Sequence, residues 1–361
     1  MAQALTFNFS AAPGTPTEVI SGFTAAGNLW SSKFVDDVTV NVDIGTSSLA
    51  TGTTGSTSAM YYAEPYNSIR TNLQNQVTST DDSTAFSNLQ AGPTFNLLTN
   101  YSTNNPAGSG STTPYFDNNG STNNTLIDLT TANAKAVGLL SNYSGSDGLI
   151  RLNSQTRWDY QPGDGITTDA VDLTGTATHE LGHILGFTSG VDLLESSSGS
   201  LSEDTYHASM MDLFRFSNRS VALGKGVIDL TAQCSASTGC DQYFSIDGGV
   251  TKIANFSTGS KGDGYQASHL QEQLASLGIM DPRSNYGEQQ QILENDLRLF
   301  DVIGWNRVDT LTASMTSATV PPATALTASA QEVASVPEPA TNLGLLLMGI
   351  FGLILGKRKL Q

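Results

Sequence analysis

Positive charge is scarce in this chain of 361 residues, which carries 16 Lys and Arg against 33 Asp and Glu. A protein that binds nucleic acid needs clusters of basic side chains to neutralise phosphates, and none occurs before the last few residues. Nucleic acid is therefore not an expected partner. Charged residues of both signs make up only 14% of the chain, while Gly, Ser, Thr and Asn are abundant. Such a composition is typical of extracellular bacterial proteins.

Cysteine is nearly absent, and the only two cysteines, Cys234 and Cys240, flank a short stretch of small residues. In an exported protein this arrangement favours a short-loop disulfide. Two free thiols are the alternative, and the spacing does not match a common zinc motif.

The N-terminus lacks both the charged region and the apolar region of a signal peptide. Ala2-Gln3-Ala4 nevertheless resembles the small-residue end of a cleavage site. A leader missing from the start of the sequence would explain both observations.

From position 336 onward the chain combines three features. Val336-Pro337-Glu338-Pro339 comes first, an apolar run extends from Leu343 to Leu355, and the basic cluster Lys357-Arg358-Lys359 follows. The run is short for a helix that spans a hydrocarbon core of ~30 Å, and the basic cluster would stay on the cytoplasmic side. This arrangement resembles the PEP-CTERM sorting signal of Gram-negative bacteria. The resemblance implies export to the cell surface, transient membrane anchoring through the tail, and processing by an exosortase-type enzyme; an ordinary membrane anchor would also imply export.

Residues 308–335 are rich in Thr, Ala, Ser and Pro and have little charge or periodicity, which is typical of a linker. We therefore expect residues 1–307 to form the folded region, 308–335 a linker, and 336–361 the sorting signal with a short hydrophobic helix.

Hydrophobic periodicity predicts both strands and helices in the folded region. Alternation predicts strands at residues 37–44 and 149–153, and a hairpin that turns at Gly248 and Gly249. We predict helices at five positions: Ser68–Val77, Thr130–Leu140, Leu173–Leu185, Leu270–Ser276 and Leu293–Ile303.

Histidine is also rare, with four in the chain, yet two of them belong to the segment His179-Glu180-Leu181-Gly182-His183. Helical residues at i and i+4 lie on one face about one turn apart, so both imidazoles can reach one Zn²⁺ at roughly 2.0–2.1 Å. Glu180 would lie beside the metal, where its carboxylate can act as general base toward an attacking water. The alternative is an amphipathic helix whose histidines bind no metal.

A catalytic zinc needs a third protein ligand and an open position for water. The candidates are the remaining histidines, His207 and His269, and nearby carboxylates. His207 competes with His269 because two methionines follow it closely. The candidate carboxylates are Asp192, Glu195, Asp204 and Asp212.

The motif continues with Gly186 and Phe187 but departs from the H-E-x-x-H-x-x-G-x-x-H pattern of metzincin zinc proteases, because Ser189 stands at the third histidine position. The chain here resembles the leishmanolysin-like branch of metzincins. In that branch an insertion separates Gly-Phe from a Ser-His segment, which a methionine-containing turn follows.

Ser268-His269 and Met280 match these later features. The resemblance implies that residues 188–268 form the insertion, that His269 is the third zinc ligand, and that Met280 is the Met-turn residue. His207 or Asp192 is the alternative third ligand. Asp212 and Arg215 in the insertion are expected to support the loop.

From about Leu5 to the end, the chain resembles a family of PEP-CTERM-associated bacterial metalloproteases, on segments that include Leu213–Ser217 and Asp296–Trp305. The resemblance implies an α+β, metzincin-like fold: a twisted mixed sheet, an active-site helix within residues 171–187, and a largely irregular C-terminal half. It implies a secreted zinc-dependent endopeptidase acting on a protein or peptide substrate. We expect Leu149–Leu152 to be the sheet edge that pairs with the substrate.

Two other functions are open at the level of sequence. The acidic, Asn- and Gly-rich composition and the sorting tail favour a surface or matrix structural protein with a vestigial metal site, although such a site has no need of Glu180. Asp117-Asn118-Asn119-Gly120 favours structural Ca²⁺, but the segment lacks the later ligands of an EF-hand loop.

Overall fold

A computed structural model describes residues 5–234 and 239–308, together with the backbone of residues 335–337. Most of the predicted linker and sorting signal lies outside the described residues. Within them, the chain forms a mixed α/β fold with several small sheets. No helix in these ranges is long and apolar enough to cross a membrane.

Eight α-helices occur among the described residues. They are α1 Thr17–Ser31, α2 Tyr66–Asn75, α3 Thr80–Asn88, α4 Thr131–Ala136, α5 Leu173–Leu185, α6 Gly190–Ser196, α7 Asn218–Leu223 and α8 Glu294–Val302. The strands are β1 Thr6–Ala11, β2 Thr39–Ser47, β3 Gly55–Ala59, β4 Tyr61–Pro65, β5 Leu97–Thr99, β6 Tyr115–Asp117, β7 Leu126–Thr130, β8 Gly148–Asn153, β9 Trp158–Asp159, β10 Val171–Asp172, β11 Ala208–Ser209, β12 Arg215–Phe216, β13 Ile228–Leu230, β14 Tyr243–Phe244, β15 Ala254–Asn255, β16 Arg283–Asn285 and β17 Ser335–Pro337.

The largest sheet lies in the N-terminal half and has the strand order β1-β2-β8-β3. β1, β2 and β8 are parallel, whereas β3 runs antiparallel to β8 at the edge. Val40, Val42 and Ile44 of β2 are buried, as the twofold alternation of a strand requires. α1 and α5 pack against this sheet and against each other.

Helix α5 is buried, and side chains from the first and the last helical regions of the described chain contact it. The indole of Trp30 in α1 donates a hydrogen bond to the carbonyl of Thr178 at 2.9 Å, and the indole of Trp305 donates to the carbonyl of Leu185 at 2.8 Å. Phe300 of α8 packs edge-on against Trp30, with 4.8 Å between ring centroids. These aromatic contacts fix the position of α5 relative to the sheet.

The residues after α5 are joined to the N-terminal half by strand pairing. β11 pairs in parallel with β7, and β13 pairs in parallel with β5. The remaining strands of this half are two or three residues long, and they alternate with turns and bends. The irregularity predicted for the C-terminal half is therefore present.

Four of the five predicted helices correspond to helices of the structure. The predicted bounds of α5 coincide with the observed ones. α2 has the predicted length but begins two residues earlier, and α4 and α8 overlap their predictions but are shorter. β2 and β8 overlap the predicted strands. The chain also reverses where a hairpin was predicted, since β14 pairs antiparallel with β15 and both Gly248 and Gly249 have positive φ.

The prediction that Leu149–Leu152 forms an edge strand is wrong. β8, which contains these residues, pairs with β2 on one side and with β3 on the other. The edge on this side is β3, a Gly-Ser-Thr-Ser-Ala segment, and the other edge is β1. Its sequence has no apolar alternation, so periodicity could not reveal that it adds a strand to the sheet.

The predicted helix Leu270–Ser276 is also wrong. Leu270 donates its backbone N–H to Met280 O at 2.9 Å, and Gln271 donates to Asn255 O at 2.9 Å, so this backbone is bonded to distant segments. Leu274, which would belong to the apolar face of a helix, is fully exposed. Tertiary hydrogen bonds override the helical spacing here.

Candidate metal centre

The candidate site is built on α5, whose residues are all buried. The helix begins after Asp172, whose carboxylate accepts the backbone N–H of Gly175 at 2.8 Å and so caps the N-terminus. It ends at Gly186, whose φ of 123° suits glycine. Both ends of the helix are therefore encoded locally, and the i, i+4 spacing places His179 and His183 on one face.

His269 meets these two histidines although it lies far along the chain. The three imidazoles form a group that could hold a metal ion, and among the described residues it is the only group of three or more His, Cys, Asp or Glu side chains that meets this condition. Nε2 of His179 lies 3.1 Å from Nε2 of His183 and 3.2 Å from Nε2 of His269. His179 and His269 are at most 2% exposed, and His183 is 8% exposed.

The other ring nitrogen of each histidine faces a backbone carbonyl. Nδ1 of His179 lies 2.7 Å from the oxygen of Ile279, and Nδ1 of His183 lies 2.7 Å from the oxygen of Phe187. Nδ1 of His269 lies 3.2 Å from the oxygen of Gln266. Because a carbonyl can only accept, each Nδ1 carries the proton in these contacts, which leaves the Nε2 lone pairs directed toward the other two rings.

Met280 lies against α5 between the two helical histidines. A Cβ placed on Gly182 would overlap the sulfur of Met280, so the glycine is what allows the thioether to come this close. A glycine inside a helix costs about 0.5–1 kcal/mol relative to alanine. The close contact with Met280, a fully buried residue, accounts for the glycine at position 182.

Glu180 is 1% exposed and lies against the edge strand β3. The hydroxyl of Thr57 donates to Oε2 of Glu180 at 2.5 Å. A Cβ on Gly55 would overlap the Glu180 side chain, so this position of β3 also has to be small. The carboxylate is thus in contact with the same strand that forms the edge of the sheet.

Asp192, the candidate carboxylate ligand, lies beside the segment that carries His269 and is not one of the three clustered side chains. Its carboxylate accepts the backbone N–H groups of Ala267, at 2.6 Å, and Ser268, at 2.9 Å, and also the Ser268 hydroxyl. Burial raises the pKa of Asp192. The observed contacts hold the backbone immediately before His269.

Asp212 and Arg215 form a fully buried ion pair in the insertion, with 3.0 Å between Nε and Oδ1. Asp212 accepts the backbone N–H of Gly190 at 2.7 Å, just beyond α5. Arg215 donates to the carbonyls of Ser257, at 3.1 Å, and Ala267. The pair therefore connects the residues just after α5 to the segment before His269.

His207, the other alternative third ligand, lies away from the three clustered imidazoles. Its Nδ1 is 2.9 Å from Oδ1 of Asp128, a residue of β7. The remaining candidate carboxylates also have other partners: Glu195 accepts the backbone N–H of Gln233 at 2.9 Å, and Asp204 accepts the hydroxyl of Thr122 at 2.6 Å.

The structure joins Cys234 and Cys240 in a disulfide, with 5.3 Å between their Cα atoms. In the candidate calcium segment, Asp117 accepts the side-chain amide of Asn123 at 2.8 Å. The side-chain amide of Asn119 donates to Glu203 at 2.8 Å. Both amides are thus part of a hydrogen-bond network around the segment.

Asp296 supports the Met280 turn and was not identified from the sequence. This residue of α8 accepts the backbone N–H groups of Ile279 at 2.8 Å and Met280 at 3.2 Å. It thereby holds the carbonyl of Ile279 that faces His179. Burial raises the pKa of the Asp296 carboxyl to about 7. Only its place in the first turn of a predicted helix could have suggested a capping role.

Gly55 and Thr57 were also missed, because the stretch from Thr51 to Ser58 contains only Gly, Ser and Thr and reads as a loop. Their contact with Glu180 depends on strand pairing between segments about a hundred positions apart. No local pattern in the sequence signals it.

One known family matches the chain, the PEP-CTERM protein-sorting motif, over residues 335–359. The resemblance seen in the sequence tail is therefore confirmed. This motif implies export and surface sorting in a Gram-negative bacterium and recognition by an exosortase-type sorting enzyme. No curated protein and no solved structure matches the chain.

Proposed function

We propose that this protein is a secreted zinc-dependent endopeptidase with a metzincin-like active site. His179, His183 and His269 would hold the zinc ion, and Glu180 would act as the general base. The PEP-CTERM tail supports the exported location, since it implies surface sorting. The peptidase activity rests on the arrangement of the four side chains.

The observation that carries the proposal is that, in each of the three imidazoles, Nδ1 faces a backbone carbonyl while Nε2 faces the other clustered histidines. Metal-binding histidines almost always donate their second ring N–H to a carbonyl, a carboxylate or water, which fixes the tautomer and the ring orientation. All three Nδ1 atoms face backbone carbonyls, and the Nε2 atoms lie 3.1 Å and 3.2 Å apart. Nitrogens bound tetrahedrally to Zn²⁺ at 2.0–2.1 Å are separated by roughly 3.3 Å, so the spacing suits that metal.

The number of ligands favours catalysis over a structural role. Structural zinc sites usually have four protein ligands, whereas catalytic sites have three and keep a position open for water. The group described here has three members. When bound in such a site, zinc supplies Lewis acidity toward a water molecule and a scissile carbonyl.

Glu180 is the residue next to His179 on the active helix, which suits it to the proton transfers. Its carboxylate would take the proton of the attacking water and then pass it to the nitrogen of the leaving amine.

β3 is the proposed substrate-binding edge, in place of the strand expected from the sequence. An extended peptide can add to an exposed sheet edge through main-chain hydrogen bonds. β3 forms the edge of the largest sheet and touches Glu180 through Gly55 and Thr57. A peptide paired with β3 would therefore lie close to the general base.

The test is hydrolysis of casein by the purified wild type and by Glu180→Gln, with zinc content measured on both. Because the ligands are unchanged, the variant should retain zinc, while activity falls by at least ~10²-fold, the scale of general-base contributions. Glu18→Gln, an exposed glutamate of α1, is the matched control. Wild-type activity should disappear with a chelator and return with zinc.

The alternative function is a structural protein of the cell surface with a non-catalytic metal site, which the sorting tail and the acidic composition favour. A zinc-loaded, folded wild type that hydrolyses no peptide bond in casein would support that function and contradict the peptidase.

A further inference from the structure

The contact between Thr57 and Glu180 joins two parts of the proposed active site that have different tasks. Thr57 belongs to the sheet edge, and Glu180 belongs to the helix that carries two of the three clustered histidines. The Thr57 hydroxyl lies 2.5 Å from Oε2 of Glu180 and 3.2 Å from the Glu180 backbone oxygen. A hydroxyl has one proton, and the nearer oxygen, that of the carboxyl group, is its acceptor.

The opposite side of the carboxylate is shaped by Gly55. A Cβ at this position would overlap Oε1, Cδ and Cγ of Glu180, and Gly55 is two residues from Thr57 on the same face of the strand. The strand thus offers the carboxylate a hydrogen-bond donor at one residue and free volume at the other. Together they define one position for the Glu180 side chain.

We propose that Thr57 is a positioning residue for Glu180, holding the carboxylate at the sheet edge along which the substrate backbone would pair, with Gly55 providing the space. This proposal rests on the proposed peptidase function. Thr57 does not take part in bond breaking; it sets the orientation of the group that does. Because the same strand would bind the peptide, it would fix the position of the base relative to the substrate.

The first experiment tests the contact without using activity. Urea unfolding of the metal-free protein is measured for Thr57→Val in the wild-type background and in a Glu180→Ala background. If the hydroxyl holds the carboxylate, the valine substitution lowers the urea midpoint only when Glu180 is present, because contacting residues are non-additive. Equal midpoint shifts in the two backgrounds would overturn the proposal whether or not the protein is a peptidase.

The second experiment measures kcat and KM for a fluorogenic peptide with the zinc-loaded full chain. Thr57→Val should lower kcat about ten-fold, the scale of one lost hydrogen bond, with KM within about two-fold of the wild type. Thr57→Ser keeps the hydroxyl and should recover most of the rate. Gly55→Ala keeps the donor but displaces the carboxylate, and it should also lower kcat.

The matched control is Thr39→Val, a strand threonine of the same sheet whose hydroxyl bonds to Thr6 at 3.0 Å and not to the site. It should leave kcat and zinc content unchanged. An active wild type whose kcat is unaffected by Thr57→Val would overturn the positioning role. An inactive wild type that keeps the non-additive unfolding would instead contradict the peptidase, and with it the catalytic role of Thr57, while upholding the contact.

Discussion

The N-terminal half, which here means the chain up to the end of α5, presents His179 and His183 on a buried helix. The C-terminal half, which follows α5, presents His269 in a segment that is neither helix nor strand. α5 is held by apolar packing and by two indole hydrogen bonds to its backbone. The His269 segment is held by Asp192 and Arg215, which bond to its backbone N–H and carbonyl groups.

The difference shows two ways to hold an imidazole in place. A helix satisfies most of its own backbone groups, so apolar packing and a few hydrogen bonds to its backbone are enough to hold it. An irregular buried segment leaves N–H and carbonyl groups without partners in regular structure, and these groups must be bonded by side chains. In this segment the Asp192 carboxyl group supplies the acceptors and the Arg215 guanidinium supplies a donor.

The largest expected effect tests whether the C-terminal half contributes a metal ligand. We expect His269→Ala to lower zinc affinity by orders of magnitude, because it would leave two protein ligands where a catalytic site has three. His207→Ala should bind zinc nearly as the wild type does, since its side chain pairs with Asp128. Metal content after identical dialysis distinguishes the two variants, and zinc lost only from His207→Ala would reverse the assignment.

A core substitution in α5 tests whether the N-terminal half is held by apolar packing. Leu181 lies between Glu180 and Gly182 and is fully buried. Leu181→Ala should lower the free energy of unfolding by about 2–5 kcal/mol, as cavity-forming substitutions do. Leu223→Ala, at a leucine that is 44% exposed, should have little effect. Similar losses in both variants, measured by urea unfolding, would contradict this account of α5.

Asp192→Asn tests the carboxylate support of the irregular half. The amide keeps one acceptor but turns a donor toward the N–H groups of Ala267 and Ser268, so the backbone before His269 should shift. We expect zinc affinity to fall about 10–100-fold, the usual cost of losing a group that orients a ligand. Competition with a chelator measures it, with Asp204→Asn, an exposed position of the same insertion, as control. Unchanged zinc affinity in Asp192→Asn would show that the backbone before His269 keeps its position without the Asp192 carboxyl group.

The smallest effect concerns a carboxyl of α8, where the two halves meet. Burial raises the pKa of Asp301 to about 7, and Ser79 donates to it at 2.6 Å. A folded-state pKa above the unfolded value means that the free energy of unfolding contributed by this group falls as pH rises from about 4 through 7. Asp301→Asn removes that ionisation.

The variant should therefore gain stability relative to the wild type at pH 8 compared with pH 5. The gain is on the order of 1–3 kcal/mol, since about two units of the pKa shift lie between pH 5 and pH 7 and each corresponds to about 1.4 kcal/mol. Thermal or urea unfolding at both pH values measures this difference. An equal difference between variant and wild type at the two pH values would show that the Asp301 carboxyl does not ionise in this range.

Sequence patterns predicted the parts of the site that are encoded locally. The predicted bounds of α5 coincide with the observed ones, and the helix determines how His179, Glu180 and His183 are arranged. His269 was selected through a resemblance, because nothing in its local sequence indicates which distant residues it meets.

The remaining parts depend on long-range pairing. β3 has no apolar alternation, and its role follows only from its pairing with β8. Helix α1 was missed although Val19, Phe23, Ala26 and Trp30 are buried on one face. Its glycines, Gly22 and Gly27, weaken the helical pattern, yet they permit close approach to Leu173 and to Phe7.

The two indole hydrogen bonds to α5 also mean that intrinsic tryptophan fluorescence reports on the packing of this helix. Of three tryptophans, Trp30 and Trp305 donate to the backbone of α5, and Trp158 donates to the carbonyl of Asn153 at 3.0 Å. The insertion, residues 188–268, contains no tryptophan. Intrinsic fluorescence should therefore follow the loosening of α5 from its surroundings, while an opening of the insertion that leaves α5 packed would pass without a change in emission.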